Sequence, residues 1–141
     1  MKHEIIESGN SSIISGASSA EKDARKEFLE LYRSCPIPEN QIMDNLGLFL
    51  KRQNISRILM LNEMYKKIVN IHGIVVEFGV HWGSSLALYE SLRGMYEPYN
   101  YNRKIVGFDT WEGFPVIDEK DGDSRIAKVG AYATTKGYES Y

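Results

Sequence analysis

Glu77, Gly79, Gly83 and Ser84 belong to the run Val75-Val76-Glu77-Phe78-Gly79-Val80-His81-Trp82-Gly83-Ser84-Ser85. Here an apolar stretch meets an acidic residue, a glycine turn and a serine-rich helix start. This order suits a loop whose backbone touches a small ligand. Gly79 permits a tight turn and close approach because it has no Cβ. Gly83 and Ser84 open a helix, whose first N–H groups lack intrahelical partners and can face a ligand. Glu77 falls at the carboxyl end of the strand, the edge where open α/β sheets bind ligands. The spacing E-x-G-x-x-x-G lacks the third glycine of the dinucleotide fingerprint and the G-K-[ST] of the phosphate loop. A cofactor without phosphates, such as S-adenosylmethionine (SAM), fits it better. A strand–helix turn with no ligand at all is the competing reading.

A second segment adds to the first. Lys104-Ile105-Val106-Gly107-Phe108 reads as a short buried strand ending at Asp109, followed by Thr110-Trp111-Glu112-Gly113-Phe114-Pro115. Between the two strands, Leu86, Ala87, Tyr89 and Leu92 recur at helical spacing, with Gly94 as the expected stop. The whole is a β-α-β unit, with residues 73–78 and 104–108 expected as adjacent parallel strands. Asp109 then lies at the same edge as Glu77. A carboxylate there can accept hydrogen bonds from a ribose diol; a turn aspartate capping its own loop is the alternative. His81 could act as a general base, contact a cofactor or simply fill the loop.

The segments IVVEFGVHWGSSLALYESLR and KIVGFDTWEGFP resemble the macrocin O-methyltransferase family, the TylF-type sugar methyltransferases, over about residues 40–141. The resemblance implies a class I methyltransferase fold, an α/β Rossmann-like parallel sheet, incomplete in this chain and preceded by a helical amino-terminal region. It also implies methyl transfer from SAM to a hydroxyl, typically of a sugar, a sugar-containing natural product or a surface polysaccharide. By the same carry-over, Glu77, Gly79 and Gly83 line the methionine side of SAM, Asp109 takes the ribose and Trp111 lies against the adenine. A magnesium ion and a catalytic base would be held by residues outside this stretch, and no catalytic residue can be named within it. The chain alone is therefore expected to be inactive, and unstable, oligomeric or aggregation-prone without its missing half. A non-catalytic nucleotide-fold binding or dimerisation module is the main alternative, and a dinucleotide-dependent oxidoreductase a weaker one.

Three regions must position these residues: a poorly ordered tail over 1–19, a helical region over 20–72 and the first part of a SAM-binding domain over 73–141. Ser18 with Glu21 forms a capping-box pattern for a helix over about 20–33. Residues 39–52 suggest one or two short helices, and Asn54 can cap a longer helix over about 55–70, packed on two sides. In that helix Met60 and Met64 read as core fillers. Ala127 to Ala133 is a weak third strand candidate.

The 141 residues carry a net charge of −2, and basic pairs such as Arg103-Lys104 read as solvated faces, so nucleic acid is not an expected partner. No run reaches the roughly 18 apolar residues of a membrane span. The single cysteine, Cys35, points to a reducing compartment and, with no signal core at the amino terminus, a cytoplasmic location is expected. A homo-oligomer and a small-molecule or sugar acceptor complete the expected partners. Asp118-Glu119-Lys120-Asp121-Gly122-Asp123 superficially resembles a calcium loop, but Lys120 occupies a ligand position. Should the chain be active alone, His81, Asp118 and Asp121 are the first residues to mutate.

Overall fold

A computed structural model describes residues 5–8, 11–14, 17–118, 120 and 128–138. The elements run β1 (Ile5–Ser8), β2 (Ser11–Ile14), α1 (Ser19–Arg33), α2 (Glu39–Ile42), a 3-10 segment (Met43–Phe49), α3 (Arg52–Lys66), β3 (Val75–Phe78), α4 (Ser84–Tyr96) and β4 (Ile105–Phe108). By its contacts the chain divides into Gly16–Leu59 and a second unit, Met1–Ser15 with Met60–Tyr141. The division falls within α3 and not at the turn before β3.

Where composition predicts a poorly ordered tail, β1 and β2 form an antiparallel pair with Ile5 opposite Ile14 and Ile6 opposite Ile13. The isoleucines favour extended backbone.

In the unit Gly16–Leu59, α1 begins where its capping box places it. The Ser18 hydroxyl accepts from the Glu21 N–H at 3.3 Å, and the Glu21 carboxylate accepts from the Ser18 N–H at 2.9 Å. The helix stops before Pro36, with the Ser34 N–H returning to the Glu30 carbonyl. Tyr32 meets Phe49 edge-on at 5.0 Å, and the Lys51 ammonium sits 5.1 Å from the centre of the Phe28 ring.

The second unit holds the β-α-β core. β3 and β4 pair in parallel with Val75 opposite Ile105 and Glu77 opposite Gly107, as their apolar runs and the intervening helix require. Side chains alternate across the pair. Val75, Glu77, Ile105 and Gly107 share one face, and they are all half-buried. Gly107 is what lets α4 close on this face. A Cβ there would meet Leu86 Cδ1 at 2.5 Å and Val80 Cγ2 at 2.7 Å. Val76, Phe78, Val106 and Phe108 share the other face, where Phe78 stacks on Phe108 at 5.4 Å and stays 78% exposed. Among the described residues, this face of the β3–β4 pair is the more exposed one.

α3 and α4 both depart from expectation. α3 starts three residues before Ile55 and ends at Lys66, after which Lys67 and Ile68 donate to carbonyls three residues back. Only Leu61 and Tyr65 of this helix are buried, while Met60 and Met64 are about half exposed. α4 runs through Gly94 to Tyr96, because glycine inside a helix is a cost of about 1 kcal/mol and not a barrier.

Arg103 fastens the turns that follow α3. Its guanidinium donates to the carbonyls of Ile68 and Ile71, both at 2.7 Å, and of Gly73 at 2.9 Å. It also pairs with Glu97, Nε to Oε2 at 2.9 Å. The Tyr65 hydroxyl donates to the same carboxylate at 2.7 Å, and the Asn100 amide at 2.7 Å. Expected as part of a solvated face, Arg103 is instead 3% exposed. Its buried charge is stable there because Glu97 and three carbonyls satisfy it.

Candidate functional site

A cavity of about 620 Å³ opens at the carboxyl ends of β3 and β4. It is lined by Gly79, His81, Phe108, Asp109, Thr110, Gly113, Phe114, Pro115, Ala131 and Tyr132. Its size falls within the range of small-molecule sites, and its position is the one open α/β sheets use.

The loop after β3 builds one wall. Gly79 takes φ 78 with open space where a Cβ would stand, so the backbone itself is accessible there. Its N–H continues the ladder to the Phe108 carbonyl at 2.9 Å. His81 follows in the left-handed region at φ 53, a conformation uncommon outside glycine. The His81 ring lies 5.0 Å from Trp82 and 6.3 Å from Tyr132, with Nε2 buried and unpartnered among the described residues. Gly83, at φ 72, caps α4, but its N–H is taken by the Val80 carbonyl at 3.0 Å and is not free for a ligand. Ser84 is the exposed first residue of α4 and does not line the cavity.

Asp109 ties this loop to the end of β4. Its Oδ2 accepts from the His81 N–H and its Oδ1 from the Trp111 N–H, each at 2.7 Å. Burial alone would raise its carboxyl pKa. The N–H groups of His81, Trp111, Val80 and Thr110 outweigh that and hold it below the ordinary aspartate value. The carboxylate expected to meet a ribose is thus already engaged by backbone donors, and its visible work is to fix the shape of both loops.

Glu77 and Trp111 lie outside the cavity lining. Glu77 is half-buried with Oε2 unpartnered among the described residues. Trp111, left-handed at φ 57, uses its carbonyl to accept from the Thr134 N–H at 2.9 Å. Of the expected site residues, then, the structure brings Gly79, His81 and Asp109 to one cavity. It leaves Glu77, Gly83, Ser84 and Trp111 around its frame.

The opposite wall comes from a returning segment that sequence reasoning did not identify. Phe114 donates to the Ala131 carbonyl at 3.1 Å and accepts from the Gly130 N–H at 2.9 Å. Gly113 makes the approach possible, because a Cβ there would collide with the Ala131 carbonyl oxygen. In place of the strand considered for 127–133, the described residues 129–132 form turns, and residue 127 lies outside the described set. The Tyr138 hydroxyl donates to the Trp82 carbonyl at 2.9 Å, and the two rings meet edge-on at 4.7 Å. Phe114 and Pro115 were visible within the second motif. Ala131 and Tyr132 carried no local signal, since only a non-local pairing brings them here.

Among the described residues no group of three His, Cys, Asp or Glu is placed to hold a metal ion, and no helix is long and apolar enough to cross a membrane. Asp118 is exposed and accepts from the Lys120 N–H at 2.9 Å; Glu119 and residues 121–123 of the calcium-like run, Asp121 among them, lie outside the described residues.

No family model matches the chain, and no curated protein matches it. Solved structures do, among them two of CalS11. A crystal structure of CalS11, calicheamicin methyltransferase, is 36% identical over 90% of this chain and 49% of that one, with a TM-score of 0.84. An apo structure of CalS11, described as TDP-rhamnose 3'-O-methyltransferase, an enzyme in calicheamicin biosynthesis, is 37% identical over 69% of this chain and 42% of that one, with a TM-score of 0.64. The chain thus spans about half the length of the proteins it matches. At this identity and overlap it has the fold of a methyltransferase, with two parallel strands of a Rossmann-like sheet among the described residues.

Proposed function

We propose that this chain carries the cofactor-binding part of a SAM-dependent O-methyltransferase acting on a sugar hydroxyl. The observation that carries the reading is the cavity at the carboxyl ends of β3 and β4, in a fold shared with CalS11. The residues present fit the cofactor. Open backbone at Gly79, an unpartnered buried His81 Nε2 and an apolar wall of Phe108, Phe114, Pro115 and Ala131 suit a ligand with both polar and flat apolar parts.

When bound, SAM supplies an electrophilic methyl carbon. The chain's own contribution is placement. Asp109 fixes the β3–α4 loop through backbone N–H groups, and Phe108, Phe114, Pro115 and Ala131 give the site an apolar wall. Such preorganisation matters because in-line displacement depends on alignment of the reacting atoms.

The description of CalS11 as a TDP-rhamnose methyltransferase supports a sugar acceptor. The E-x-G-V-x-x-G-x-S and D-T-W-E-G-F-P motifs support the TylF-type assignment within that class. A homo-oligomer in the cytoplasm belongs to the same proposal.

The test is the thermal midpoint of the intact protein with SAM, S-adenosylhomocysteine, NAD or ATP at 100 times a micromolar Kd. A ligand of the folded state raises the midpoint. SAM and S-adenosylhomocysteine should raise it and the others should not. A shift with NAD alone would replace the reading with an oxidoreductase. Binding of SAM without methyl transfer to any nucleotide sugar would leave a non-catalytic module.

A further inference from the structure

Four rings converge on the cavity: His81, Phe108, Phe114 and Tyr132. Tyr132 meets His81 edge-on at 6.3 Å and Phe114 edge-on at 5.8 Å. Phe108, Phe114 and Tyr132 remain 54%, 43% and 40% exposed. Large rings left accessible together in a concave site mark a surface for a ligand.

Tyr132 is also held in an unfavourable backbone conformation, at φ 65. A bulky residue stays in the left-handed region only where its surroundings over-determine it. They do so here. Phe114 donates to the carbonyl of Ala131, the Ala131 N–H returns to Lys128, and Thr134 is tied to Trp111. The ring of Tyr132 is thereby fixed beside Phe114, on the loops beyond Asp109. Gly79 and the start of α4 lie on the other side of that carboxylate in sequence, along the β3 loop. Trp111 meanwhile does not line the cavity, and both its backbone polar groups brace the loop.

We infer that Phe114 and Tyr132, with the His81 ring beside them, form the stacking platform for the adenine base of the cofactor, and that Trp111 positions the loop without touching the base. This rests on the SAM reading of the cavity. A purine offers a flat π-face that stacks on any aromatic surface, whereas the methionine part of SAM is charged and suits the backbone-lined glycine loop. The buried, unpartnered His81 Nε2 offers a hydrogen-bonding group at the border of the two regions.

The experiment measures the Kd of S-adenosylhomocysteine and of 5'-methylthioadenosine, which lacks the amino-acid part, by calorimetry on the intact protein. The variants are Tyr132→Asn, Phe114→Leu and Trp111→Leu. Asparagine tolerates the left-handed backbone while removing the ring, and leucine keeps apolar bulk. If Tyr132→Asn fails to give a cooperative melt, Tyr132→Gly relieves the strain and serves in its place. Tyr132→Asn and Phe114→Leu should each weaken both ligands by about tenfold, in keeping with base–aromatic stacking. Trp111→Leu should weaken both by less than about threefold. Tyr132→Phe keeps the ring and should bind like the parent protein. A loss confined to S-adenosylhomocysteine would move the wall to the amino-acid part and overturn the inference. Parent-like binding by the Tyr132 and Phe114 variants alongside a large loss in Trp111→Leu would return the base to Trp111. Failure of the unsubstituted protein to bind either ligand would remove the SAM reading itself, and the platform with it.

Discussion

Glu97→Gln should destabilise the fold by about 3 kcal/mol at neutral pH, with a pH dependence that identifies the cause. The Glu97 side chain is 5% exposed and that of Arg103 3% exposed, and they meet at 2.9 Å. Glu97 also accepts from Tyr65 and Asn100. The Arg103 hydrogen bond leads in lowering its carboxyl pKa; burial opposes that, and Tyr65 and Asn100 assist it. The result lies at about 2, against 4.5 for a free glutamate. At about 1.4 kcal/mol per tenfold shift in proton affinity, this corresponds to roughly 3 kcal/mol. Breaking a buried pair from one side costs a similar 3–5 kcal/mol, because the remaining charge is left unpaired. Glutamine makes this worse by turning an amide donor toward Arg103 or Asn100, both of which already donate. The sign follows from the lowered pKa. The carboxylate contribution is complete above about pH 4.5 and is lost as pH falls through about 2. Urea denaturation of both proteins at pH 7, 5 and 3 reads the difference. The gap should be full at pH 7 and 5 and clearly smaller at pH 3. A loss below 1 kcal/mol at pH 7, or one that stays constant down to pH 3, would refute the assignment of a paired, buried carboxylate.

Three further outcomes follow. Asp109→Ala should weaken S-adenosylhomocysteine binding about tenfold or more, from the loss of charge-assisted bonds to the loop, whereas Glu112→Ala, exposed in the next turn, should bind like the parent protein in the same titration; equal curves would remove Asp109 from the site. Gly107→Ala should cost about 1–3 kcal/mol by forcing α4 off the sheet, measured as a lowered denaturation midpoint. On the alkaline side, burial and then the Glu97 hydrogen bond raise the Tyr65 hydroxyl to about 12. Its contribution should therefore persist below pH 10 and fade as pH rises toward 12, and Tyr65→Phe should abolish the late tyrosinate absorbance step.

The two strands, their parallel pairing and the capping box of α1 were legible because each is written locally, in apolar runs, glycine punctuation and Ser18-x-x-Glu21. The end of α3 was not. Residues 67–70 keep a helical apolar pattern, yet Lys67 and Ile68 already donate to carbonyls three residues back, and the turns that follow are held by Arg103, a residue 35 positions from Ile68. Arg103 itself looked like half of a surface basic pair, since nothing local shows that Glu97 and three carbonyls surround it. The site divides the same way. Gly79, His81 and Asp109 sit on the β-α-β unit and could be placed from spacing. Tyr132 depends on a backbone pairing between residues 113–114 and 130–131 that leaves no periodic trace. The role of Asp109 was half legible: its location follows from the strand, but its engagement by the His81 and Trp111 N–H groups depends on left-handed backbone at those two residues.

The Arg103 cluster makes the two ends of the β3–β4 ladder unequal. At the amino-terminal end, one guanidinium fastens the close of α3, the turn before β3, the close of α4 and the approach to β4. Opening any one of these segments takes a partner from the same guanidinium, so their amides are expected to exchange together and late. At the carboxyl-terminal end, the loops are joined by a carboxylate and by turn hydrogen bonds, which can rearrange one at a time. Ligand-driven adjustment at the cavity can then proceed without loosening the foundation on which the strands stand.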